Sequence, residues 1–417
     1  MTKHVAVIGA GVVGLCTALY CTERGWRVTA VERNGEQRDA CSYGNTGQIV
    51  PSHFVPLAAP GAVAQGIKWM RDPGSPFYIR PRLSADLLRW GLAFWRASSP
   101  GHVRRAAPLL RELHVASRAC YHDLAAKGHD FGLADRGVLM LCRTHDALEE
   151  EAKTAEHARA LGLEARVLDR DATAALDPDV RMDVMGSVYF PGDSTVVPGR
   201  LMDVLQHELT RRGARFAWRT EITGFERRAG RIDAAHTAGA DAISADEFVI
   251  ATGAWSAQLG ALLGLDIPLQ AGKGYSLTLA APRKLPQRAA ILTEARVAVS
   301  PMGNTLRVGG TLELSGMDQS IDPLRVQRIV DAFVQYYPDF SADDFDGVAA
   351  WRGLRPCSPD GLPYVGRTRS ASNLLVGTGH AMMGVSLAPI TGKVLAQTIA
   401  GEPTDVDFAL LSPDRYH

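Results

Sequence analysis

The stretch HVAVIGAGVVGLCTALYCTERGWRVTAVE, residues 4–32, leaves this chain few ways to fold. An apolar run at 4–8 predicts a buried strand, after which Leu15, Ala18, Leu19 and Thr22 recur at the spacing of one helix face. Gly25 ends that helix, and the run from Arg27 to Glu32 predicts a second strand. Strand, helix and strand in such short succession make a βαβ unit with parallel strands. Between the first strand and the helix stand Gly9, Gly11 and Gly14 in G-x-G-x-x-G spacing. Gly9 permits a tight turn, Gly11 lets backbone N–H groups approach a pyrophosphate, and Gly14 lets the helix pack close to the sheet. Val12 and Val13 open a helix whose N-terminus carries partial positive charge. Glu32, followed by Arg33, closes the second strand where a ribose diol would be bound, and its negative charge argues against a 2′-phosphate. The unit predicts an ADP-containing dinucleotide without choosing between NAD and FAD.

Three further stretches favour FAD, whose ribityl chain and second phosphate must be carried toward a flavin ring. CSYGNTGQIVPS, residues 41–52, is small, polar and rich in backbone, and offers Ser42, Asn45, Thr46, Gly47, Gln48 and Ile49 as cofactor contacts; the alternative is an ordinary surface loop. EFVIATGAWS, residues 247–256, breaks an apolar strand at Ala251, Thr252 and Gly253. Residues 373–401 place Gly377, Gly379 and Gly384 between a strand and a helix. Backbone N–H groups at Met383, Gly384 and Val385 would stabilise negative charge on a reduced flavin.

At 417 residues and 46% hydrophobic composition, two domains with sizeable cores are expected. Lysine plus arginine equal aspartate plus glutamate at 45 each, which argues against a nucleic-acid partner and for small molecules. The six cysteines show neither a CxxC pair nor zinc spacing, so neither a disulfide framework nor a metal site is expected. With no secretory signal ahead of the first strand, the expected location is the cytoplasm. Residues 374–392 are nearly free of charge, but four glycines and Pro389 favour a strand, a turn and a helix over a membrane span.

The motifs VIGAGVVG, SYGNTGQIVPS, AAPGAVAQGIKWM, GKGYSLTL, LRVGGTLE, GLRPCSPDGLPYVGRT and GTGHAMMG occur in one order along nearly the whole chain. In this combination the sequence resembles the flavin-dependent D-amino acid dehydrogenases, within the wider D-amino acid oxidase, glycine oxidase and sarcosine oxidase superfamily. The resemblance implies an α/β fold: a discontinuous Rossmann-like FAD-binding domain at 1–59, 195–265 and 349–417. A substrate domain at 60–194 and 266–348 would contain a mixed, largely antiparallel sheet. It implies oxidation of a D-amino acid, or of a cyclic secondary amino acid such as a D-hydroxyproline, by hydride transfer from the α-carbon to flavin N5. The imino acid so formed would hydrolyse or cyclise. The electron acceptor would be a quinone, an electron-transfer protein or oxygen. A glycine- or sarcosine-type oxidase and a non-catalytic flavoprotein subunit are the alternatives.

By the same resemblance Arg355, in GLRP, would pair with the substrate carboxylate. A guanidinium in an apolar strand needs a compensating anion, and a planar carboxylate suits it; an internal pair with Asp360 is the competing reading. Tyr275 would hydrogen-bond that carboxylate or close the pocket, or else be a core aromatic with a satisfied hydroxyl. His380 is the obvious candidate for a general base, but a neutral amine losing hydride needs none, so His380 reads better as a residue of the cofactor turn. His53 is a further candidate for lining the pocket. Some sarcosine oxidases attach FAD through a cysteine in this stretch; aligning the Pro-Asp pair puts that place at Gly353, so Cys357 reads as a buried residue and the FAD as non-covalent. Residues 65–96 mix Trp69, Met70, Trp90, Phe94 and Trp95 with arginines, which suits either packing or a peripheral contact with the inner membrane.

Overall fold

A computed structural model describes residues 2–70, 75–239 and 241–416. The glycine-rich unit forms as expected: strand His4–Ile8, helix Val12–Thr22 and strand Arg27–Val31, with Val5 opposite Val28 and Val7 opposite Ala30 in parallel register. It lies in a six-stranded sheet with the order 364–367, 374–378, 247–250, 4–8, 27–31, 215–217. The first of these is antiparallel to its neighbour and the rest are parallel. Such strands are covered on both faces, which is why they read as unbroken apolar runs rather than alternating ones.

Helix Val12–Thr22 packs against helix Gly384–Ala400 so closely that a Cβ on Gly392 would stand 2.5 Å from the Cys16 carbonyl carbon. The near-uncharged run at 374–392 is thus strand Leu374–Thr378, a glycine turn and the start of that helix. Among the described residues no helix is long and apolar enough to cross a membrane.

A second, mixed sheet has the order 351–357, 270–279, 305–314, 297–302, 289–292, 138–142, 186–190, 166–169, with Phe77–Ile79 added in parallel beside 312–314. Its pairings are antiparallel except for that one and 289–292 with 138–142. Helix Pro323–Tyr336 covers one face, where Phe333 contacts the rings of Tyr337, Phe340 and Phe345. A small antiparallel sheet, 222–228, 231–237 and 243–244, completes the set expected from the hairpin-like sequence at 221–234.

Two contacts join segments that the sequence reading assigns to different domains. Strand Trp351–Cys357, in the segment expected to belong to the cofactor domain from 349, pairs with Gln270–Leu279 in the mixed sheet. Helix Pro100–Ala126, expected in the substrate domain, is buried against helix Gly384–Ala400, with the Tyr121 hydroxyl donating to Val385 O at 2.6 Å. Neither pairing is a local property, so local pattern did not reveal them.

Candidate active site

Strands 374–378, 247–250 and 4–8 are neighbours, so the turns that follow them meet at one edge of the sheet. This is where an open α/β sheet binds its ligand. Gly9 has φ +106°, and a Cβ on it would stand 2.4 Å from Ala251 O in the second turn. Thr378 donates to Gly253 O at 3.0 Å, which ties the third turn to the second. A Cβ on Gly14 would stand 1.9 Å from Gly9 O, whereas one on Gly11 would meet only Ser42 Oγ at 3.9 Å. Gly14 is therefore required by the protein's own packing, while the space over Gly11 is open to a ligand. Arg38 is buried beneath this turn with Nε donating to Ala10 O at 3.0 Å, and its Nη2 has no hydrogen-bond partner among the described residues. An open cradle beside an orphaned guanidinium nitrogen fits an anionic dinucleotide.

Glu32 sits directly after the second strand, accepting from Ala10 N at 3.1 Å and from Asn34 N at 3.0 Å. Arg33 lies 3.9 Å from the Trp255 ring centre, stacked rather than pointing at the turn. Glu32→Ala should keep the fold and weaken FAD binding about tenfold or more, the worth of one hydrogen bond to a charged group. Gel filtration with the absorbance of retained flavin measures this, and equal retention in both proteins would remove Glu32 from the ribose site.

Residues 41–52 are a built element rather than a slack surface loop. Ser42 Oγ accepts from Val12 N at 3.2 Å, and Asn45 Oδ1 accepts from Gly47 N at 2.7 Å. Thr46 lies beside Gly309, where a Cβ would meet its methyl at 3.2 Å. Gln48 Nε2 donates to Ala290 O and Val299 O in the roof of the mixed sheet, and Ile49 pairs with Ser194. Arg307, which the sequence did not single out, donates from Nη1 to Tyr43 O and Asn45 O, each at 2.7 Å. The loop thus spans from the helix N-terminus to the second sheet.

Arg355 lies on the face of the mixed sheet that meets this loop. Directly opposed residues share a face, so Gly272, Gly274 and Ser276 stand on the same side as Arg355, Gly353 and Trp351. The glycines make a floor: a Cβ on Gly274 would stand 2.1 Å from both terminal nitrogens of Arg355. Trp351, also missed by sequence, covers Gly44 and donates from Nε1 to Asp39 at 2.6 Å. Arg355 Nη1 donates to Thr311 O at 2.6 Å, and no carboxylate pairs with it among the described residues. Asp360, the competing partner, is held instead by Arg415 in a two-point contact at 2.7 and 2.9 Å. Burial pulls the Arg355 guanidinium below its ordinary pKa. A charged, partly buried fork with no acid partner among the described residues has the donor geometry that suits a carboxylate.

Because the atoms in the way are the end of a flexible side chain, Gly274→Ala should fold and keep FAD while pushing the guanidinium aside. KM for the best amino acid should rise about tenfold, as displaced binding groups do. Steady-state kinetics checks it, and an unchanged KM would mean that the floor does not set the position of Arg355.

Tyr275 corrects an expectation. It points to the opposite face of its strand from Gly274, is 1% exposed among core residues, and donates to Glu313 at 2.9 Å, so it is not brought to Arg355. His380 faces Cys357 across an isolated bridge; its Nε2 lies 2.9 Å from Thr391 Oγ1, and burial lowers its pKa to about 4. This neutral, engaged imidazole lies beside Gly379 (φ +82°) in the turn that follows strand Leu374–Thr378. His53 is partly buried; burial, with Arg296 adding, lowers its pKa to about 4, and its Nδ1 lies 3.1 Å from Ser52 Oγ. Met383 packs against the cluster formed by Val50, Val138 and Ala289.

The family described as DAO, FAD dependent oxidoreductase, matches residues 4–398. The chain belongs to this family. FAD is its cofactor, and it is an oxidoreductase. It is 31% identical over 420 residues to a D-amino acid dehydrogenase of Granulibacter bethesdensis, covering 99% of each chain. It is 32% identical over 421 residues to a D-amino acid dehydrogenase of Cereibacter sphaeroides, covering 99% of this chain and 95% of that one. Among solved structures, a glycine oxidase from Geobacillus kaustophilus superposes with a TM-score of 0.79 at 24% identity, covering 99% of both chains. An L-proline dehydrogenase from P. horikoshii superposes with a TM-score of 0.76 at 16% identity, covering 100% of this chain and 98% of that one. These two share the fold.

Proposed function

We propose that this DAO-family chain oxidises the α-carbon–nitrogen bond of a D-amino acid, or of a cyclic secondary amino acid such as a hydroxyproline isomer, to an imino acid. The observation that carries this reading is Arg355: a guanidinium on a glycine floor, facing the cofactor loop, with no carboxylate partner among the described residues. A flavoprotein subunit that bound no carboxylate would have little physical reason to keep a buried cation there. FAD, when bound, supplies the two-electron acceptor. The Gly9 turn, Glu32, Ser42 and the 41–52 backbone would hold it without a covalent link, Cys357 being packed beside Gly272 and the Arg355 carbonyl. Arg355 orients the substrate by its carboxylate. His53 and His380, both held near pKa 4 by burial, are unprotonated and weakly basic at physiological pH, so neither is assigned as a general base and the amine is taken in its neutral form. Water then hydrolyses the imino acid, releasing ammonia from a primary amine.

The test is an anaerobic panel of D- and L-amino acids, hydroxyproline isomers, glycine and sarcosine, followed by flavin bleaching. Oxygen and a quinone are then compared as reoxidants. Fast reoxidation by oxygen alone would favour the oxidase reading. For the acceptor, exposed Ile67, Leu83, Leu88, Leu92 and Trp95 stand with exposed Lys68 and Arg96 on helices Ala62–Trp69 and Ala85–Ala97 and the segment between them. Apolar and basic residues together suit an anionic bilayer surface. This supports a peripheral contact with a membrane quinone pool, and sedimentation with anionic vesicles checks it.

A further inference from the structure

Among the described residues Thr311 has a φ of +67°, a left-handed conformation in which a β-branched residue is a genuine outlier. The two glycines just before it, Gly309 and Gly310, do not take that conformation. The outlier falls in strand Thr305–Leu314 where the pairing with Gln270–Leu279 slips: Tyr275 is opposite Gly310 and Lys273 opposite Glu313, so Thr311 and Leu312 together face the single residue Gly274. This is a β-bulge, a device that recurs beside active sites. The other edge of the strand leaves room for it, since pairing with 297–302 stops at Gly309 and pairing with 77–79 starts at Leu312. Leu312 N then donates to Pro76 O at 2.7 Å.

Counted inward from both flanks, the two bulge residues fall on one side. Gly310 and Glu313 share the face of their partners Tyr275 and Lys273, so Thr311 and Leu312 both face the side of Gly274 and Arg355. Leu312 confirms the count, since a Cβ on Gly272 would stand 2.5 Å from its Cδ1. The Thr311 carbonyl accepts from Arg355 Nη1 at 2.6 Å, on a side chain that lies across Gly274, the residue the bulge faces.

We propose that Thr311 is a positioning residue for substrate recognition: its strained bulge aims a carbonyl that fixes one arm of the Arg355 guanidinium and leaves the remaining donors for a carboxylate. An arginine has five donors in a rigid fork, so one can be spent on the protein without losing a two-point contact to substrate. Backbone strain held by its surroundings is a recurring means of such pre-organisation. The proposal rests on the reading of Arg355 as the carboxylate anchor.

The test uses FAD-loaded protein with the best amino acid and with its decarboxylated amine. Deletion of Thr311 removes the bulge, and Thr311→Pro forbids the positive φ at unchanged length; Thr311→Asn tolerates it. Deletion and proline variants should raise KM for the amino acid about tenfold or more with kcat within about threefold, and leave the amine unaffected. Asparagine should recover most of the loss. In an Arg355→Leu background the same changes at Thr311 should add nothing further, because Thr311 acts through Arg355. An unchanged KM in a folded variant, or a rise that persists without Arg355, overturns the proposal. So does failure of both variants to fold with FAD, since the bulge would then belong to the fold. If Arg355→Leu alone titrates with the amino acid like wild type, the anchor reading has failed and the role of Thr311 falls with it.

Discussion

Arg355→Leu should bind FAD as wild type does and need far more amino acid to reduce it. The substitution removes a charge-assisted contact in a partly buried site and leaves the carboxylate unpaired, a loss of about 2–5 kcal/mol. At about 1.4 kcal/mol per decade this is roughly 30-fold or more in apparent affinity. The fold should survive, because the guanidinium makes one hydrogen bond to the protein, to Thr311 O, and no ion pair among the described residues. Anaerobic titration separates the outcomes. The amine lacking a carboxylate, poor for wild type, should be changed little. Loss of FAD would show that Arg355 holds the structure rather than the substrate, and a wild-type titration would place the carboxylate elsewhere.

The parts of this candidate site that are legible in sequence are those whose chemistry is local. The glycines at 9, 11 and 14 must follow one strand and open one helix, so spacing alone exposes them. Arg355 was visible because a lone arginine in an apolar strand is chemically conspicuous. Tyr275 was misplaced because GKGYS does not say which face each residue takes; pairing with Gly310 and Arg352 decides that, and it sends the hydroxyl to Glu313. Trp351, Arg307 and Thr311 act through partners that are 44 to 312 residues away in sequence, Arg307 through two carbonyls of the cofactor loop. No window of sequence carries such information. The bulge at Thr311 is the extreme case, since the neighbouring Gly309 and Gly310 are where a left-handed residue would be sought.

Gly14→Ala should cost the protein its cofactor. The added methyl would stand 1.9 Å from Gly9 O and 3.0 Å from Gly9 C, and both are backbone atoms. Neither partner can move away freely. Gly9 is held by its N–H to Val31 O at 2.7 Å and by its closeness to Ala251, while the helix bearing Gly14 is pressed against helix Gly384–Ala400 at Gly392. The clash must therefore displace the turn itself, where the pyrophosphate would be bound. Overpacking of this kind costs about 1–3 kcal/mol in stability, and a comparable loss in binding is a factor of about ten to a hundred in affinity for FAD. Gly25→Asn is the control: its φ is +73°, which asparagine tolerates, and no atom lies within 4 Å of the added Cβ, so FAD should stay bound. Fluorescence of released flavin and the thermal unfolding midpoint measure both variants. If Gly14→Ala retains FAD with wild-type affinity, the close approach of helix to strand does not shape the cofactor turn. If both variants lose FAD alike, general destabilisation rather than the turn's geometry explains the loss.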